Sequence, residues 1–218
     1  MTNRIMYDSV TAAKCPAGAP LYGAYIDGLY ANYAEVHQRF PRARIVTITV
    51  LGGTAAAHVV DIETGDCTPV SGVAWAKRRV AAGHHPTLYM NASTWPAVKA
   101  EVHRQGLDGK VSYWVAHYDG HPVVPDGAVA KQFLGDYHGY DESVVLAHWP
   151  GVDPATSTYK TYGWARLLDK ETFEHLAARE GITLSAVAAL NPGVDIHHPY
   201  KYWGQWIKVR SHAVAKPQ

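Results

Sequence analysis

Eight short segments of β character crowd the first 150 residues, at 5–10, 21–27, 44–51, 57–62, 87–91, 111–118, 129–134 and 143–148. Turn-forming residues bound them, and helical patterns intervene at 30–40, 70–82 and 95–105, the last with Ser93 or Thr94 as N-cap and Gly106 near its end. Strands alternating with helices favour a parallel sheet. A complete (β/α)8 barrel usually takes about 250 residues, so this spacing predicts a closed TIM-like barrel, of α/β class, trimmed of several helices. An open doubly wound sheet is the competing arrangement. It would need a phosphate-binding loop, and Leu51-Gly52-Gly53-Thr54 lacks the glycine and lysine pattern of one.

Residues 1–150 therefore form one expected domain, and 151–158, rich in breakers and hydroxyl side chains, read as a linker. The remaining module, 159–212, places an amphipathic helix at 172–180 stopped by Gly181, a second helix at 185–190 ahead of Asn191-Pro192-Gly193, and an alternating strand at 205–209. Its order is two helices between short strands, βααβ. A chain of 218 residues with 47% hydrophobic content can bury one sizeable core and a small second one.

Several function classes are disfavoured. The net charge of +1, with eight Lys/Arg against six Asp/Glu over 151–218, lacks the basic excess of a nucleic-acid binder. No apolar run approaches a membrane span, and Met1-Thr2-Asn3-Arg4 leads into a strand rather than an apolar secretory segment. No signal peptide, membrane partner or nucleic acid is expected. Cys15 and Cys67 lack the CxxC spacing of a zinc site and read as free thiols, the alternative being a bridge where the loops after the first and fourth strands meet. Thirteen histidines include the adjacent pairs His84-His85 and His197-His198, whose members face apart on a regular element, so no metal is expected, and no cofactor either. The aromatic skew, seven Trp and fourteen Tyr against three Phe, suits surfaces that are apolar on one side and wet on the other, such as sugar-stacking walls.

Chemistry concentrates at Val59-Val60-Asp61-Ile62-Glu63-Thr64-Gly65-Asp66. On a strand, positions i and i+2 share a face at roughly 6.6 Å. Asp61 and Glu63 would then form a carboxylate pair of the kind glycosidic hydrolysis uses, one protonated as acid and one ionised. The alternative is a surface strand ending in acidic turn residues.

The second module resembles a LysM domain through Thr172-Phe173-Glu174-His175-Leu176-Ala177, Gly181-Ile182-Thr183-Leu184-Ser185, Leu190-Asn191-Pro192-Gly193 and Gly204-Gln205-Trp206-Ile207-Lys208-Val209. It departs at Lys170-Glu171, where Gly-Asp is usual, and in a longer segment at 196–203. The first module resembles the family 25 lysozymes, the muramidases of phages and bacteria. Tyr7-Asp8-Ser9, Asp61-Ile62-Glu63, the aromatic strand Tyr113-Trp114-Val115-Ala116-His117-Tyr118, Lys131-Gln132-Phe133 and Tyr140-Asp141-Glu142 carry that resemblance, while Tyr25-Ile26-Asp27-Gly28 departs from it.

The resemblance implies a peptidoglycan-cleaving barrel held on N-acetylglucosamine-containing glycan by Thr172, Phe173, Asn191, Pro192 and Gly193 of the LysM-like module. In a parallel barrel Asp8, Asp27, Asp61, Glu63 and Asp141 would meet at the C-terminal strand ends, where mutual repulsion raises at least one pKa. Glu63 is then the expected general acid. Asp61 would orient the substrate acetamido group or stabilise the oxocarbenium-like centre, and Asp8 and Asp141 would position water or tune pKa. Asp27 is a substrate-binding candidate whose other reading, shared by Asp8, is turn capping. Trp114 and Tyr118 could wall the sugar site, or pack the barrel core. Tyr89 and Asn91 could hydrogen-bond substrate, and Gln132 joins them through the resemblance. The expected roles are a phage endolysin, released from the host cytoplasm through a separate membrane hole, or a lysin travelling with the virion. The alternative is a catalytically inactive wall-binding structural protein of a phage particle.

Overall fold

A computed structural model describes residues 3–135, 138–153 and 163–209, and the chain divides by its internal contacts into two units, Met1–Pro154 and Ala155–Gln218. In the first unit eight strands close into a barrel in sequence order: β1 (Arg4–Asp8), β2 (Leu21–Tyr25), β3 (Arg44–Thr49), β4 (Val59–Asp61), β5 (Thr87–Asn91), β6 (Ser112–Ala116), β7 (Ala130–Leu134) and β8 (Asp141–Val145). Strands β1 to β7 are mutually parallel, as the alternating pattern predicts.

The closing strand corrects that expectation, because β8 runs antiparallel to both β7 and β1. Leu134 and Asp141 are six residues of connection apart, and a parallel crossover needs a dozen or more. A short connection can only fold back. The barrel is thus mixed rather than an all-parallel (β/α)8.

Among the described residues three α-helices pack outside it: α1 (Tyr33–Arg39), α2 (Pro69–Ala81) and α3 (Trp95–Arg104). Thr68 and Ser71 cap α2 reciprocally, with Pro69 at its first position. At α3 the expected cap differs. Thr94 occupies the N-cap position without a side-chain bond, and Asn91 Oδ1 instead accepts from Thr94 N at 2.9 Å and Ser93 Oγ at 2.7 Å.

Strand alternation sorts the core into two shells. Met6, Leu21, Val46, Ile48, Val59, Trp114 and Val145 fill the interior. Outside β4 to β6, Ile62, Leu88, Met90 and Val115 meet Val73, Trp75, Val98 and Val102 of α2 and α3. Cys15 and Cys67 are buried and unbridged. The N-terminal end is plugged by Trp149, fully buried, whose Nε1 donates to Thr87 Oγ1 at 2.7 Å. Arg4 holds the chain beyond it through Leu146 O and both oxygens of Asp153, and Arg44 Nη1 donates to Val152 O. Residues 151–153, expected in the linker, therefore pack on the barrel: their breakers make a turn that buries Val152. The rest of the expected linker, 154–158, lies outside the described residues.

The second unit has β9 (Trp164–Arg166), α4 (Phe173–Glu180), α5 (Leu184–Leu190) and β10 (Trp206–Lys208), with β9 and β10 antiparallel. Thr172 and Thr183 cap the two helices by accepting from His175 N and Ala186 N, and Gly181 ends α4 in the left-handed conformation that its missing Cβ permits. Leu167, Phe173, Leu176, Val187 and Ile207 form its core. Among the described residues no helix is long and apolar enough to cross a membrane.

Candidate active site

The reversal of β8 has a direct chemical result. Its first residue, not its last, lies at the rim reached by the C-terminal ends of β1 to β7. Asp141 is therefore paired with Asp8 across the antiparallel register, with Cα atoms about 5 Å apart. In an all-parallel barrel the residue opening β8 would stand at the opposite rim. Asp61 ends β4 on the inward face, following Val59 by the two-residue period.

Glu63 reaches the same rim by another route. Since β4 stops at Asp61, the two carboxylates do not share a strand face as their spacing predicts. Instead Ile62 N still bonds Tyr89 O, and a turn follows in which Asp66 N bonds Glu63 O and Cys67 N returns to Asp61 O. Gly72 admits the Ile62 side chain beneath this turn, where a Cβ would stand 2.6 Å from it. Glu63 is left half-buried and closer to solvent than Asp61.

Burial and crowding push these acids toward the neutral form. Asp8 is raised well above the usual aspartate range, by burial first and then by the charges of Asp141, Asp61 and Glu63. Asp61 is pushed up to about 8, by burial and then Glu63 and Asp66. Glu63 is raised by burial, Asp66 and Asp141, with the Tyr89 hydroxyl pulling the other way. Asp8 Oδ2 and Asp61 Oδ1 are buried without a hydrogen-bond partner among the described residues. Unsatisfied buried carboxyl oxygens are costly and mark functional sites.

Tyr25, not among the expected site residues, ends β2 on the inward face. Burial and the charges of Asp8, Asp61, Asp141 and Glu63 all raise its phenol pKa, so it is a neutral hydroxyl among the acids. The signal was available in the two-residue period from Leu21 through Gly23 to Tyr25. Taking the strand two residues too far put Asp27 in its place. Gly23 completes the arrangement, since a Cβ there would stand 2.7 Å from Asp8 Cβ.

Asp27 itself caps a loop. It accepts from Thr49 Oγ1, Val50 N and Leu51 N, tying the end of β2 to the end of β3. Trp114 is buried in the barrel, its Nε1 donating to Ser143 Oγ at 3.1 Å and its ring 4.5 Å from that of Tyr89, so core packing rather than an open wall describes it. Tyr118 is exposed and lies over Gly135, where a Cβ would come within 2.8 Å of the ring. Tyr89 donates its hydroxyl to Gln132 Oε1 at 2.6 Å, both residues being buried. Asn91 is occupied in starting α3.

In the second unit Thr172 is a cap and Phe173 is fully buried. Asn191 donates to Val187 O and Lys208 O and accepts from Lys208 N, and Pro192-Gly193 forms the turn after it. Among the described residues of this unit, the exposed aromatics are Tyr200 and Trp203, from the longer segment. His198 bonds Asp195, and among the described residues no group of three or more His, Cys, Asp or Glu is placed to hold a metal ion. No family model, curated protein or solved structure matches the chain.

Proposed function

We propose that the acidic barrel mouth cleaves the glycan strand of peptidoglycan in the manner of a muramidase, and that the second unit is a LysM-like glycan anchor. The reading rests on one observation: Asp8, Asp61, Glu63 and Asp141 are brought to a single rim, two of them deeply buried with unsatisfied oxygens. Glycosidic cleavage needs a protonated acid beside ionised carboxylates, and crowding of this kind supplies both from one residue type. Four coupled carboxyl groups share fewer than four negative charges near neutral pH. Glu63, raised and half-exposed, is placed to hold the transferable proton and deliver it to the leaving oxygen. Whichever carboxyl of the group remains ionised faces the positive charge that develops at the sugar carbon, and Asp61 is available to the substrate acetamido group. A LysM-like module would keep the barrel at the wall and raise local substrate concentration. Such a chain serves as a phage endolysin or as a lysin carried on the particle.

Glu63→Gln is expected to lower release of new reducing ends from purified cell walls at least a hundredfold, the usual worth of a general acid being about 10²–10⁴. Its circular dichroism should match the parent's. Unchanged turnover would remove Glu63 from the role, and identifying the sugar at the new end reports the bond cut.

A second reading has its own support, because Asp27, Asn91, Trp114 and Gln132 are engaged within the protein. A barrel that grips wall glycan without cutting it, as a structural part of a phage particle, would bind walls in a pull-down and never clear them.

A further inference from the structure

The exposed apolar side chains of the first unit gather at one end of the barrel. Val10 follows β1, Leu29 and Tyr30 follow β2, Leu51 follows β3 and Tyr118 follows β6, so all five stand at the rim that holds the carboxylates. Leu29 is 88% exposed and Leu51 69%. Among the described residues, no large apolar side chain is exposed in the segments leading into the opposite rim, 41–43, 82–86, 105–111 and 146–153. Single exposed apolar side chains need no explanation, but a group of them collected around a reacting site marks a binding surface.

Side-chain hydrogen bonds hold these tips in place. Asp27 ties the loop after β2 to Val50 N and Leu51 N, Asn32 accepts from Tyr25 N and donates to Ser9 O at 2.7 Å, and Ser9 Oγ donates to Gly139 O at 2.6 Å. The loops after β1, β2, β3 and β7 are thereby stitched into one platform before any ligand arrives, which lowers the ordering cost of binding. In a closed ring of eight strands β6 stands opposite β2, so Tyr118 lies across the mouth from this platform. A ligand touching both sides passes over Asp8, Asp61, Glu63 and Asp141.

Charge limits what that ligand can be. Apart from histidines, the loops leaving this rim, 9–20, 26–32, 50–57, 62–68, 92–94, 117–129 and 135–140, hold one basic residue, Lys14, against Asp27, Glu63, Asp66, Asp119, Asp126 and Asp136. Lys131, from β7, is paired with Asp119. An anionic surface, or a second copy of this acidic rim, meets repulsion here. A neutral chain of sugar rings does not, and its apolar ring faces suit the aliphatic and aromatic tips.

Resting on the muramidase reading, we propose that the rim takes hexosamine strands whose sugar carboxyls are absent or held as amides, as where a stem peptide is attached, and turns away strands with free carboxylates on the sugar. The test follows the methyl resonances of Leu29 and Leu51, readouts inside the first unit, in the full chain carrying Glu63→Gln so that the ligands stay intact. The ligands, titrated at low salt, are chitohexaose, peptide-free glycan strands with free lactyl carboxylates, and the same strands after amidation of those carboxylates. Saturable shifts are expected, with the free-carboxylate strand binding roughly fivefold or more weakly than its amidated form and the gap closing as salt is raised. Asp66→Lys, at an exposed turn, should narrow the gap, and Leu51→Ser should weaken chitohexaose and the amidated strand alike, by about threefold or more. Equal binding of the free and amidated strands, or no shift at Leu29 and Leu51 with chitohexaose, overturns the proposal. So do shifts of the same methyls that follow protein concentration alone or zwitterionic lipid vesicles, which assign the tips to a second copy or to a lipid surface. The expected shifts in a chain whose parent cuts no wall would sink the muramidase reading and leave this binding preference intact.

Discussion

Asp61 carries a pH signature that can be measured without knowing the substrate. Its carboxyl is pushed up to about 8 in the folded chain, while an unfolded aspartate titrates near 3.9. The folded state thus binds the proton more tightly, so stability falls as pH rises from about 4 to about 8 and is unaffected by this group below that window. Asp8 acts in the same direction. In urea unfolding, Asp61→Asn should lose less stability than the parent between pH 5 and pH 8, leaving it ahead by about 2 kcal/mol or more at the upper end. Equal slopes in the two proteins would locate the penalty elsewhere. Asp8, Asp61 and Glu63 could be picked from sequence because acids at the ends of apolar strands are conspicuous. The two-residue period of β2 turns Tyr25 inward, but its role was not readable, because that depends on which carboxylates other strands deliver to it.

The connection from β6 to β7 shows how an element is replaced when a helix is missing. No helix is described there, and the outer face of β7 would be open to water. Lys131 projects from that face and is nearly fully buried, donating to both oxygens of Asp119 at 2.6 and 2.7 Å and to His121 O at 3.0 Å. That clamp closes the loop over the strand and sets the position of Tyr118 beside it. Lys131→Met should therefore release the loop, read as faster proteolytic nicking within 117–128 and faster amide exchange there than in the parent. Unchanged nicking would mean the loop is held by its backbone bonds alone. Strand β5 was readable to the residue, since Thr87 to Asn91 is a buried β-prone run between turn formers. The direction of β8 was not read, although the brevity of the segment before it already excluded a parallel return.

At the scale of the whole first unit, the barrel is closed at its N-terminal end. Trp149 closes it, its ring edge-on to Trp114 at 5.9 Å. Trp149→Ala should cost about 3–5 kcal/mol by leaving a large buried cavity, measured as a fall in denaturant midpoint. A shift below 1 kcal/mol would mean that the neighbouring chain collapses into the gap. The sequence by itself determined that the first part alternates short strands with helices and that a second unit of two helices between short strands follows, because strand and helix periods, caps and breakers are local properties written along the chain. Only the tertiary structure decided that Asp141 faces Asp8, that Asp27 caps the ends of β2 and β3, and that residues 151–153 belong to the barrel. Those outcomes depend on which distant strands become neighbours, and closure of a ring of strands is a property no single segment possesses.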